Sequence, residues 1–388
     1  MKRASITWAD SIAPEPVTWA WSGSLESLYE GSEDSNGISP ESSASSGRIA
    51  AGTIAIAAGP EGVGKSSFGI TIAALVSTGR LHGAWFGKPR NVLYVAVEDS
   101  WAHTLVPRLM AAEADLARIG RFEVVSDSDS IATLSLPHDN DLFEAAITDH
   151  SVALVVLDPL MSLVSNRIDT HRERDVREAL DPLAKIADRT KAVILGIAHW
   201  NKGSGSDISA RITGSGAFKN VPRAIFGFGR DPESANGTCV MTQSKNSLGR
   251  SDLPSISYRI ESATVGTAHG DAHTGRFVVL GVSDRSLAEI LATATGDETA
   301  KGRAEKLTPA QEFILMYVQL YGDEHGEVAS RDVLDQGVVE GFKVNELTKA
   351  RNAMSNLVGT RKTGTDGGWN WFLMQAGVSA QSGNADAA

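Results

Sequence analysis

Eight residues, Gly59-Pro60-Glu61-Gly62-Val63-Gly64-Lys65-Ser66, fit the spacing G-x-x-x-x-G-K-[ST]. That spacing suits one task, the cradling of a phosphate chain. Glycines let the backbone turn its N–H groups toward phosphate oxygens. A helix starting there adds its N-terminal dipole and unpaired N–H groups. Lys65 is then the cation for the β- and γ-phosphates, Ser66 the hydroxyl for Mg²⁺, and Ser67 the last residue of the cradle. The implied ligands are ATP or GTP with Mg²⁺.

Three further residues suit the rest of nucleotide hydrolysis. Glu98 follows the apolar run 91–97, and a carboxylate at the carboxyl end of a strand in an open α/β sheet points into the ligand crevice. It is the candidate base for the attacking water. Asp99 and Ser100 beside it suit the cap of the helix that begins near Trp101. Asp158 ends the apolar run 152–157, where a carboxylate holds the Mg²⁺ water shell. The next residue is Pro159, so the base does not neighbour this aspartate. His199 ends a third run and is a candidate sensor of the γ-phosphate. Lys245 and Arg250, five residues apart after a late strand, suit a cation pair offered to a neighbouring subunit's site. Arg223 is the rival.

These residues need a sheet to carry them. The run 53–58 enters the phosphate loop and 67–77 leaves it as a helix. Strands at 91–97, 152–157 and 192–197 read as buried and parallel, because they are apolar throughout rather than alternating. Residues 169–190 place Val176, Leu180, Leu183 and Ile186 at helical spacing, a covering helix with a charged outer face. Residues 203–217 are Gly- and Ser-rich on the catalytic edge, where Arg211 is a candidate contact for nucleic-acid phosphate.

Composition narrows the options. The chain has 388 residues, 42% apolar and 21% charged, with a net charge of −11, so no global basic field attracts nucleic acid. Its single cysteine, Cys239, excludes an internal disulfide framework and points to a reducing compartment. No apolar run reaches membrane-spanning length and the first residues lack a signal-peptide core, so the expected location is the cytoplasm, away from membranes. Residues 1–22 carry Trp8, Trp19 and Trp21, a segment expected to pack beside the nucleotide site. Residues 23–47 are Ser-rich and read as a disordered insertion.

In order, GPEGVGKSS, VLYVAVEDS, VALVVLDP, ILGIAHWNKG and GSGAFKNVPRA resemble the RepA-like branch of RecA-fold ATPases, over about residues 15–295. That family includes hexameric replicative helicases of plasmids and related ATPases of phages and mobile elements. It typically runs W-x-W directly into G-R-I and the loop strand. Here Trp19-Ala20-Trp21 is separated from Gly47-Arg48-Ile49 by the insertion. The family often has a second His where this chain has Trp200. The resemblance implies ATP over GTP and an α/β RecA-like core with a mainly parallel sheet. It also implies a homo-oligomeric ring, commonly a hexamer, with single-stranded DNA in its central channel.

The expected core spans 48–295 and a linker 296–306. Residues 307–375 read as three helices, the second capped by Ser330, then a hairpin turning at Asp366-Gly367. That pattern resembles a winged helix, with Lys349, Arg351, Arg361 and Lys362 as candidate contacts to duplex DNA. Because this module is close to neutral, docking of a protein is the competing expectation. Residues 376–388 read as a disordered tail. The leading function is a ring-forming, DNA-dependent ATPase or helicase in replication of a plasmid, phage or mobile element. The alternatives are a DNA-binding regulator or loader using ATP as a switch, and a recombinase-like filament.

Overall fold

The computed structural model describes residues 5–23, 47–125, 131–170, 172–200, 216–234, 237–295, 308–323, 326–354, 357–363 and 368–373. The chain divides into two compact units, Met1–Ala300 and Lys301–Ala388.

The first unit begins with β1 (Trp19–Trp21), antiparallel to β2 (Ile49–Ala50). Then come β3 (Ile54–Gly59), α1 (Lys65–Thr78), β4 (Asn91–Ala96), α2 (Val106–Ala111), β5 (Ile119–Arg121), β6 (Val124–Val125) and β7 (Ile131–Ala132). Next are α3 (Asn140–Asp149), β8 (Val152–Asp158), α4 (Glu173–Thr190), β9 (Val193–His199), α5 (Ala217–Asn220) and β10 (Ala224–Arg230). The unit closes with β11 (Cys239–Asn246), β12 (Ile256–Thr267), β13 (Gly270–Val282) and α6 (Leu287–Thr295).

A nine-stranded sheet runs in the order β13-β12-β11-β10-β3-β9-β8-β4-β5. From β10 to β5 every neighbour is parallel, and β11 to β13 continue it antiparallel. The loop strand β3 therefore lies between β10 and β9, with β8 and β4 beyond. This is a RecA-like α/β core.

The apolar runs dictate that order physically. All six residues of β3 are buried, as are the first six of β8 and of β9, so both faces must be covered. One face packs under α1 and α2, with Phe68, Ile72, Leu109 and Phe228 in its core. The other packs under α3 and α4, through Phe143, Ile147, Val176, Leu180, Leu183 and Ile186. The charged side of α4 faces outward, and its Arg177–Glu173 pair at 3.4 Å is exposed. Such pairs contribute little to stability.

The tryptophan segment departs from expectation. Trp21 is fully buried, with its ring 6.1 Å from Phe68 and 5.9 Å from Phe226. The Arg48 guanidinium lies 5.5 Å from its ring centre. No residue of β1 lines the nucleotide cleft. A large aromatic ring is stabilised more by the core behind α1 than at a wet cleft edge.

In the second unit, α7 (Pro309–Tyr321) is followed by β14 (Glu327–Ala329), α8 (Ser330–Val339), α9 (Val344–Ala353), β15 (Val358–Thr363) and β16 (Gly368–Leu373). A three-stranded antiparallel sheet orders them β14-β16-β15. Thr308 caps α7 in a reciprocal capping box with Gln311. Ser330 does not cap α8: it is the first helical residue, and Ala329 holds the cap position without a side-chain bond. The strand β14 ends at Ala329, so extended backbone already supplies that geometry. The Asp366-Gly367 turn and the 376–388 tail lie outside the described residues.

Candidate active site

The carboxyl ends of four parallel strands meet at one cleft of about 370 Å³. Gly59 pairs with His199 across β3 and β9, and Ala96 with Asp158 across β4 and β8. Strand register thus fixes the Gly59–Ser66 loop, Asp158, the segment leading to Glu98 and His199 at one height.

Gly62 and Gly64 have φ of 72° and 88°, values that a side chain would strain. Gly64 is also the turn into α1. A Cβ there would come within 2.7 Å of the Ile260 Cδ1 atom, so backbone and β12 approach closely. Glu61, Gly62, Lys65, Ser66 and Ser67 line the cleft. Gly59, Pro60 and Val63 are not among its lining residues: Gly59 and Val63 are buried, and Pro60 is exposed. The Val63 side chain is buried, and its carbonyl accepts a hydrogen bond from the Tyr258 hydroxyl. The Pro60 carbonyl accepts one from Lys65 Nζ at 2.6 Å.

Burial brings the Lys65 pKa down to about 8, while Asp158 and Glu61 oppose that shift. Burial also pushes Asp158 up, opposed by hydrogen bonds from Tyr94 and Ser66. The Tyr94 hydroxyl donates to Asp158 Oδ2 at 2.8 Å. The Ser66 hydroxyl, hydrogen-bonded to the Asp158 carboxylate, makes a pair that fits Mg²⁺, which binds through one or two protein oxygens plus substrate phosphates. No group of three or more His, Cys, Asp or Glu able to hold a metal occurs among the described residues.

Glu98 is exposed on the cleft wall, two residues beyond β4. The Val97 N–H donates to the Asp158 carbonyl at 3.1 Å, which ties the segment carrying Glu98 to the end of β8. Ser100 caps the following turn by accepting from the His103 N–H at 3.3 Å. That turn, Trp101–Leu105, is π-helical before α2 begins. Asp99 does not cap: it pairs with Arg108 of α2 at 3.2 Å. His199 lines the opposite wall.

Two cleft residues escaped the sequence reading. Arg108 lies ten residues past Glu98 and reaches back through α2, and Ile260 arrives from β12. Neither carries a local motif, because tertiary packing alone brings them in.

The proposed trans cations lie outside this cleft. Lys245 Nζ donates to the carbonyls of Lys219 and Asn220 at 2.8 and 3.0 Å. Its pKa is lowered by burial and by the charges of Arg223 and Lys219. Arg250 forms a two-pronged pair with Asp252, at 2.9 and 2.7 Å. Arg223 is exposed, and its side chain makes no hydrogen bond or ion pair with the described residues. Arg211 lies outside the described residues.

In the second unit, Arg351 donates to Asn352 at 3.0 Å and to the Val358 carbonyl at 3.4 Å. Arg361 pairs with Glu327 and stacks 5.1 Å over Phe372. Lys349 and Lys362 are exposed.

With this geometry in view, the comparisons bear on the chain. Residues 14–205, just under half of it, match the family model of an AAA domain. This is a P-loop NTPase domain. Among solved structures, the crystal structure of the RadB recombinase aligns at 17% identity with a TM-score of 0.39. That alignment covers 56% of this chain and 90% of that one. No curated protein matches the chain. The fold assignment rests on strand order rather than on that alignment. Among the described residues, no helix is long and apolar enough to cross a membrane.

Proposed function

We propose that the chain is an ATP-hydrolysing, DNA-dependent enzyme that works as a ring. One observation carries the reading: Glu98 faces the cleft with no partner among the described residues, one strand from an aspartate held by two hydroxyls. An unengaged carboxylate beside a metal ligand is poised to orient water. In this reading ATP phosphates rest on the loop and on Lys65, Ser66 and Asp158 hold Mg²⁺, and His199 reports the γ-phosphate.

The ring is argued from charge. Among the described residues, Lys65 and Arg108 are the lysine and arginine side chains lining the cleft, and Arg108 is committed to Asp99. In this reading a further cation for the transition state comes from a neighbouring subunit, and Arg223, which has no partner among the described residues, is the candidate. Helicase action in replication of a plasmid, phage or mobile element is the finer form of the proposal. It rests on the resemblance. The decisive experiment measures ATP turnover with and without single-stranded DNA, using Glu98→Gln as the blank. Turnover indifferent to DNA, with no strand separation, would sink it.

A second reading concerns the second unit. Its order of helix, strand, two helices and hairpin suits a winged helix, in which α9 would enter the major groove. Two of the four candidate cations, Arg351 and Arg361, are engaged within the unit. That favours a docking or regulatory module over a duplex reader, and so an ATP-switched loader over a translocating motor. A gel-shift with duplex DNA separates the two: a shift lost in Lys349→Ala/Lys362→Ala favours the reader.

A further inference from the structure

Tyr94 is fully buried in β4, and its hydroxyl oxygen lies 2.8 Å from Asp158 Oδ2. Side chains alternate along a strand, so Tyr94, Ala96 and the approach to Glu98 share one face. The pairing of Tyr94 with Val156, and of Ala96 with Asp158, sets the phenol below the carboxylate. Helix α1 closes over it: a Cβ at Gly69 would lie 3.6 Å from the Tyr94 oxygen and 3.2 Å from Val156 Cγ1. Trp101 meets the ring edge-on at 6.4 Å, interplanar angle 90°, from the segment that follows Glu98. The phenol is therefore confined on three sides, and its donor points at one oxygen of the metal carboxylate.

We infer that Tyr94 is a positioning residue for Mg²⁺, an inference that rests on the ATPase reading above. With Oδ2 accepting from the phenol, the orientation of the Asp158 carboxylate is restrained, and Oδ1 would remain for a Mg²⁺ shell held with Ser66. An outer partner of this kind sets the orientation and basicity of a metal-ligating group, and its loss typically weakens metal affinity by about 10–100-fold. Tyr94 is not among the residues lining the cleft. Removing the hydroxyl should thus act on the metal alone.

The test uses the full chain and a fluorescent, non-hydrolysable ATP analogue, titrated with Mg²⁺ from a metal-free start. Tyr94→Phe should raise the Mg²⁺ concentration at half-saturation roughly tenfold while metal-free nucleotide affinity stays within about twofold of wild type. In an Asp158→Asn background the same change should add nothing further, because the coupling runs through that carboxylate. An unshifted half-saturation in a folded Tyr94→Phe protein would overturn the inference, as would a fully additive loss in the double variant. Those results mean a phenol that only satisfies its own buried hydroxyl, which lowers melting temperature and leaves Mg²⁺ dependence alone. A second measurement needs no folding-sensitive variant. Fluorotyrosine placed at position 94 should change its ¹⁹F resonance when Mg²⁺ joins the nucleotide complex, and a resonance blind to Mg²⁺ contradicts the role. Wild-type protein that binds no nucleotide with or without Mg²⁺ would instead sink the ATPase reading.

Discussion

Burial disfavours the charged form of Lys65, and that has a measurable sign. Its pKa falls to about 8 in the folded chain. Below that value the lysine is charged and ready for phosphate. As pH rises from 8 toward the ordinary lysine range, the folded chain releases a proton that the unfolded chain keeps, so nucleotide-free stability rises. Phosphate binding restores the charge, so above pH 8 nucleotide binding takes up a proton. Calorimetry in buffers of different ionisation enthalpy should detect that uptake, and binding that moves no proton at pH 9 contradicts it. Glu98 predicts a different split. Glu98→Gln should keep nucleotide affinity and lower turnover by roughly 10²–10⁴-fold, the range for a lost general base. A variant that turns over within tenfold of wild type removes Glu98 from that role. At this scale the sequence was legible where chemistry needs a fixed local spacing. The loop, Asp158 and Glu98 all declare themselves at strand ends. Tyr94 did not, because a tyrosine in an apolar run looks like core until its hydroxyl finds Asp158. Arg108, Tyr258 and Ile260 were silent for the same reason.

Among the elements, β1 shows what periodicity cannot convey. Three residues are too short for a pattern, yet Trp21 is fully buried against Phe68 and Phe226. Trp21→Ala should cost about 3–5 kcal/mol, the usual range for emptying an aromatic core position. Urea titration measures it, and a loss under about 1 kcal/mol would mean that the segment is dispensable. The parallel strands were readable because doubly covered strands are apolar throughout. The antiparallel strands β12 and β13 were not, since most of their 12 and 13 residues are half-buried or exposed and form no continuous apolar run. The three-residue strand β14 was missed as well, and with it the extended backbone that makes a Ser330 cap unnecessary.

For the whole molecule, two units with separate cores imply two unfolding events. Nucleotide at a hundred times its Kd should stabilise the first by about 2.7 kcal/mol through mass action and leave the second unmoved. Differential scanning calorimetry tests this, and a single transition that shifts as one would show that the units unfold together. A ring predicts that native mass exceeds one chain when ATP and Mg²⁺ are present. A monomer under those conditions would rule out a cation in trans.

The strand order has one more consequence. The strand that launches the phosphate loop is fifth of nine from either edge of the sheet. Opening it to solvent requires peeling four strands away first, so its amides should exchange with deuterium near the rate of global unfolding. The loop it ends in pairs with no strand and meets β12 only through side chains, Ile260 at Gly64 and Tyr258 at Val63, among the described residues. The nucleotide site is therefore a tether of fast-exchanging backbone rooted in the slowest-exchanging part of the chain, and bound nucleotide should erase that contrast within a few residues of Gly59.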